Sequence, residues 1–122
     1  MSDLFVIQVN GSWVLAHQAR EATGFWQRGW GWMLHPRPHP GHALVFKGTS
    51  SLHTWFMRFR LDMVFLDEAQ RVVALRAGVP GFWGGCGPRG TRWAVEMPSD
   101  PAFARLRVGD RLRFVRGGDT PV

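Results

Sequence analysis

Residues 52–67 constrain the fold more than any other part of the chain. They are the longest run of strand-forming side chains in it, and they carry a His, two Arg and two Asp in an otherwise apolar frame. Aromatic and branched side chains suit a pleated, half-buried surface. Successive strand side chains alternate between faces. Read as one extended ribbon, the stretch puts His53, Trp55, Met57, Phe59 and Leu61 on one face, pointing into a core. Leu52, Thr54, Phe56, Arg58, Arg60 and Asp62 share the other, which starts apolar and ends charged, emerging toward solvent or a groove. His53 and Asp62 then lie on opposite faces and form no dyad. Arg58 and Asp62 share a face about 13 Å apart at strand rise, so only a bend brings them together.

The remaining segments are short. Residues 4–9 and 12–16 read as strands joined by Asn10-Gly11, the strongest short-range hairpin signal, since both residues tolerate positive φ. Residues 19–30 are expected to form a short helix, interrupted by glycines, whose aromatics cannot all share one buried stripe. Prolines make residues 35–42 a loop. Residues 43–46 are a strand and 47–51 a turn. A second hairpin joins residues 63–66 to 72–75. The glycine-rich residues 78–90, which hold Phe82, Trp83 and Cys86, read as the largest loop. Residues 92–97 are a strand. Ser99-Asp100-Pro101 opens a short helix with an acceptable cap. Val108-Gly109-Asp110 turns into a last strand over 111–115, and residues 116–122 are expected to fray. Many short strands, two hairpins and one or two short helices describe a mainly β chain, a compact jelly-roll-like sandwich or small barrel.

At 122 residues the chain is expected to be one domain, long enough to bury a true core. Its single cysteine excludes an internal disulfide framework and a cysteine-only zinc site. The start lacks the basic and apolar regions of a signal peptide, and no run approaches the ~20 apolar residues of a membrane span. A cytoplasmic location is the expectation.

The net charge is +6, carried almost wholly by arginine. That invites nucleic-acid binding. The arginines, however, are spread along the chain and alternate with apolar residues, as on the wet face of strands. Nucleic acid is therefore the weaker reading. His35, His39 and His42 have a metal-like spacing, yet no carboxylate lies near them in sequence, and a solvated turn is preferred to a metal site. No cofactor motif is present, and neither is a nucleophile elbow or a phosphate loop. Cys86 has only Arg89 and Arg92 to lower its pKa and reads as an inert thiol.

His53-Thr54-Trp55-Phe56-Met57-Arg58-Phe59, running into Leu61-Asp62-Met63-Val64-Phe65-Leu66-Asp67 and Arg71-Val72-Val73, resembles the signature of the small prokaryotic domain of unknown function 192. Ala94-Val95-Glu96-Met97-Pro98 and Val108-Gly109-Asp110-Arg111-Leu112 are similar to that family's closing segment. The resemblance spans about residues 13–115. It implies a jelly-roll-like β sandwich and no established activity. Three positions depart from the pattern. Arg60 stands where relatives have a bend-making proline, Gln70 where the hairpin has a glycine, and His35 where an arginine is expected.

Two function classes follow. The first is a non-enzymatic binding module for a small anionic, polar or carbohydrate-like ligand, or for a protein partner, with His53, Arg58, Asp62, Glu96 and Trp83 as binding residues. The second is a hydrolase or isomerase using His53 as acid or base with Asp62 or Glu96 orienting it from another strand.

Overall fold

The computed structural model describes residues 4–21, 41–48, 51–53, 60–79, 84–116 and 120–121. Strands β1 (Phe5–Val9) and β2 (Trp13–Glu21) form the expected hairpin. Its turn holds Asn10 at φ 53° and Gly11 at φ 65°, the paired positive φ that suits the twist of a two-residue hairpin. Strand β2 continues through Glu21, so residues 19–21, expected in a helix, are extended. Ala19 is fully buried and faces Phe5 across the ladder, and that burial overrides the local helical preference. The remainder of that expected helix lies outside the described residues.

Strand β3 (His42–Lys47) runs parallel to β2, with Gln18 opposite His42 and Glu21 opposite Val45. Next come β4 (Ser51–His53), β5 (Leu61–Leu66), β6 (Val72–Val79), β7 (Gly84–Cys86) and β8 (Trp93–Pro98). A 3-10 helix follows over Pro101–Arg105, and then β9 (Leu112–Arg116) and β10 (Thr120–Pro121). The helix is capped by Asp100, whose carboxylate accepts the Ala102 N–H at 2.8 Å.

The long sheet runs β10-β9-β1-β2-β3-β8-β5-β6. Its two ends meet. Arg71 and Arg111 form an antiparallel bridge. Around it Val72 N–H donates to Asp110 O (2.7 Å), Gly109 N–H to Val72 O (2.8 Å) and Leu112 N–H to Gln70 O (2.9 Å). The start of β6 is thereby stitched to the start of β9, and the sheet closes at that end into a small barrel. Closure removes sheet edges that would otherwise present unpaired backbone groups. The chain is mainly β, as its residues predict.

One core fills the barrel. Ile7, Val9, Leu15, Ala19, Val45, Val64, Leu66, Val95, Met97, Leu112 and Phe114 pack there, and the Phe114 ring centroid lies 5.6 Å from Phe5 and 5.3 Å from Trp93. A second core covers the outer face of β3, β8, β5 and β6. It holds Leu44, Phe46, Leu61, Met63, Phe65, Ala74, Val79 and Ala94. Strand β5 is buried at all six positions because cores lie on both sides of it.

These facts correct four expectations. The ribbon over residues 52–67 is not one strand. Its first residues, Leu52 and His53, belong with Ser51 to β4, which pairs with Gly84–Cys86 in a separate two-stranded sheet, while Leu61–Leu66 lies in the barrel wall; residues 54–59 fall outside the described residues. Of its second face, Arg60 is exposed as expected, but Asp62, expected to emerge with it, is only 5% exposed. Part of the expected 78–90 loop is ordered into β6 and β7. Finally, Thr120–Pro121, where fraying is expected, add a short strand against Arg116 and Val115.

Candidate functional site

Asp62 and Glu96 sit on neighbouring strands, and the ladder register decides their relation. Asp62 pairs with Met97, and Met63 pairs with Glu96. Side chains opposite each other share a face. Asp62 therefore points to the barrel side, with Val64, Val95 and Met97. Glu96 points to the outer side, with Met63, Phe65 and Ala94. The two carboxyls are separated by the sheet itself.

Asp62 serves the backbone. Its carboxylate accepts the Gly78 N–H at 2.8 Å. Arg60 donates from Nη1 to Gly78 O at 2.8 Å. Both polar groups of Gly78, which has φ 59°, are thus held by side chains from the start of β5. Burial pushes the Asp62 carboxyl above the usual carboxylate range; the Gly78 and Asp100 amides pull it back, and the Asp100 charge pushes it up again.

Glu96 has no such support. It is 2% exposed, and its Oε2 has no hydrogen-bond partner among the described residues. Burial alone pushes its carboxyl up to about 8, so it is mostly protonated at neutral pH. A neutral carboxyl offers one O–H donor as well as acceptors. Left unpaired in a buried layer, such a group costs about 1–3 kcal/mol. Sequence reasoning proposes Glu96 as an orienting carboxylate but misses its isolation. The available signal is β5 itself, whose apolar run without alternation demands cover on both faces.

His53 lies on β4, with its backbone opposite Gly84. Strand β7 leads directly to Gly87, where an added Cβ would stand 2.8 Å from the Phe65 ring. The small sheet is therefore tied to the same outer face that carries Glu96. Arg58 and Trp83 lie outside the described residues, as do His35 and His39. Among the described residues no cluster of three metal-ligating side chains occurs, and no helix is long and apolar enough to cross a membrane.

The fold recurs in solved structures. A protein of unknown function from Novosphingobium aromaticivorans DSM 12444 superposes with a TM-score of 0.74 at 16% identity, over 88% of this chain and 82% of that one. A structure from Sinorhizobium meliloti 1021, described provisionally as a transcription regulator, gives 0.74 at 17% identity, over 93% and 96%. These similarities speak for the fold alone. In sequence, the chain is 28% identical to a UPF0127 protein of Pyrococcus abyssi (strain GE5 / Orsay) over 77% of this chain and 83% of that relative. It is 30% identical to a UPF0127 protein of Thermococcus sibiricus (strain DSM 12597 / MM 739) over 75% of this chain, and the match spans 62% of that relative's length. The DUF192 profile, described as uncharacterized ACR, COG1430, matches residues 5–114, and the chain belongs to that family.

Proposed function

We propose that this chain is a non-enzymatic binding module whose site lies over the outer sheet face around Glu96. The observation that carries the reading is the buried Glu96 Oε2 without a partner. A protonated carboxyl there can donate to, and accept from, a polar or carbohydrate-like ligand, and it does not repel an anionic one. His53 is contributed by the small sheet tied to this face, and Arg58 and Trp83 are the proposed guanidinium anchor and aromatic wall. Asp62 acts as the brace behind the wall. The reading takes residues 1–122 as one domain acting in the cytoplasm.

A ligand-observed NMR screen of sugars, sugar acids and small carboxylic acids tests it. A hit should weaken about tenfold or more in Glu96→Leu and in Arg58→Ala, the effect of losing one hydrogen bond to a charged or buried group. Arg58→Ala should leave the melting temperature within a few degrees. Hits indifferent to both substitutions would sink the proposal.

A specific observation favours a second reading, an enzyme of hydrolase or isomerase type. A carboxyl held protonated near neutral pH is suited to general-acid work, and Glu96 shares the face to which the strand of His53 is tied, whereas Asp62 does not. Turnover abolished by His53→Ala and by Glu96→Gln would support it. A third reading, nucleic-acid binding, draws support from the net charge and from the description of the Sinorhizobium structure. It requires affinity for mixed oligonucleotides that falls steeply with salt.

A further inference from the structure

The closing seam of the barrel carries an electrostatic oddity. Around the Arg71–Arg111 bridge, Val72 N–H reaches Asp110 O and Leu112 N–H reaches Gln70 O. That is the pattern of a non-hydrogen-bonded antiparallel pair, the closer kind, with Cα atoms about 4.5 Å apart. Two arginines thus face each other where cross-strand side chains approach most closely, and like charges there are destabilising. Arg113, two residues along β9, shares the face of Arg111; all three arginines are exposed.

Among the described residues no carboxylate forms an ion pair with the three arginines. Both Asp110 oxygens are engaged, one by Asn10 Nδ2 (3.1 Å) and the other by the Arg107 N–H (2.8 Å). The Asp67 Oδ1 accepts the Ala69 and Arg71 N–H groups at 2.9 and 3.0 Å. Arg71 donates one long bond, 3.3 Å, to Gly109 O. Among the described residues the guanidinium groups of Arg111 and Arg113 have no hydrogen-bond or ion-pair partner. Both line a groove of about 460 Å³ whose other walls include Asn10, Gly11 and Gln70.

We infer that this groove is an anion site that takes the phosphoryl group of a small organic phosphate. Each guanidinium presents a planar fork of donors that matches phosphate oxygens bidentately. A phosphoryl group between Arg111 and Arg113 neutralises the pair and relieves the repulsion with Arg71. The groove is in the size range of small-molecule sites, so it holds more than the bare anion. Gln70 lines the same groove, and its amide could meet a ligand hydroxyl. The site is independent of Glu96.

Amide-resolved NMR titration with glycerol 3-phosphate and inorganic phosphate, with glycerol as the neutral control, tests the inference. Shifts should concentrate on Asn10, Gly11, Gln70 and residues 111–114 with both phosphates and not with glycerol. The organic phosphate should bind more tightly than the inorganic one. Arg111→Gln/Arg113→Gln should weaken binding at least tenfold while keeping the folded spectrum, and Arg71→Gln should weaken it less. Absence of localised shifts, or shifts that persist in the double variant, overturns the inference. So does a mixed-sequence oligonucleotide that binds this face and is not displaced by glycerol 3-phosphate, since the seam then reads a polymer backbone.

Discussion

Replacing Glu96 by glutamine tests the most unusual group in the structure. The folded chain holds the Glu96 proton with a pKa of about 8, against 4.5 for the ordinary carboxyl. Because the folded value is the higher one, folding takes up a proton over this window. The stabilisation is fully present below pH 4.5 and is lost as pH rises through 8. Each unit of pKa difference corresponds to about 1.4 kcal/mol, so Glu96 should cost the wild type roughly 3–4 kcal/mol of stability between pH 5 and pH 8. That is a large share of the roughly 5–15 kcal/mol that holds an ordinary domain together. Glutamine has nearly the same shape and never ionises. Urea unfolding at pH 5, 6, 7 and 8 should show a wild-type midpoint that falls with pH and a Glu96→Gln midpoint that falls much less. At pH 8 the variant should be the more stable protein. Comparing the two proteins cancels the titration of the five histidines, which both share. Parallel wild-type and variant profiles would refute the reasoning, because they would mean that water or a neighbouring group solvates Glu96 in the folded chain.

Other substitutions probe the frame. Gln70 has φ 64°, a region glycine enters without strain, so Gln70→Gly should raise stability by about 1 kcal/mol in urea unfolding; a loss would show that its side chain braces the seam. Asp62→Ala leaves the Gly78 N–H without its partner and should cost about 1–3 kcal/mol, with stability unchanged if water replaces the carboxylate. Gly87→Ala would set a Cβ 2.8 Å from the Phe65 ring and 2.5 Å from Thr91 Oγ1, an overpacking cost of about 1–3 kcal/mol by the same assay, whereas Ala at a site with open space and ordinary φ would cost nothing comparable.

Local chemistry made parts of the fold legible. Asn10-Gly11 announces its hairpin because few residue pairs accept two consecutive positive φ angles. The β5–β6 hairpin is equally readable, since Asp67 caps its own turn through the Ala69 and Arg71 amides. Closure of the barrel was not legible. It rests on backbone bonds between Gln70 or Val72 and Gly109, Asp110 or Leu112, which any side chains could make. The break in the central ribbon was hidden for a related reason. Aromatic and branched residues favour extended backbone in either sheet, so composition cannot say that Ser51–His53 pairs with Gly84–Cys86 while Leu61–Leu66 joins the wall. Glycine-rich residues 84–86 carry little strand propensity, and their pairing with β4 is set by tertiary context.

The register between β5 and β8 also decides what the candidate residues can do together. A site that used Asp62 and Glu96 at once would have to reach through a hydrogen-bonded sheet with a packed core on each side. Slipping the register by one residue would bring both carboxyls to one face, but it would also exchange Val64 and Leu66 with Met63 and Phe65 between the two cores. No ligand contact of a few kcal/mol repays that exchange, because each buried side chain is worth about 1.5–3 kcal/mol in its place. Asp62 is therefore committed to holding Gly78, together with Arg60. Glu96 is the carboxyl left over, buried on the face to which the small sheet is tied, with its Oε2 unpaired among the described residues. The proposed site on that face would draw on Glu96 and on the strand of His53, and no repacking compatible with this sheet recruits Asp62 to it.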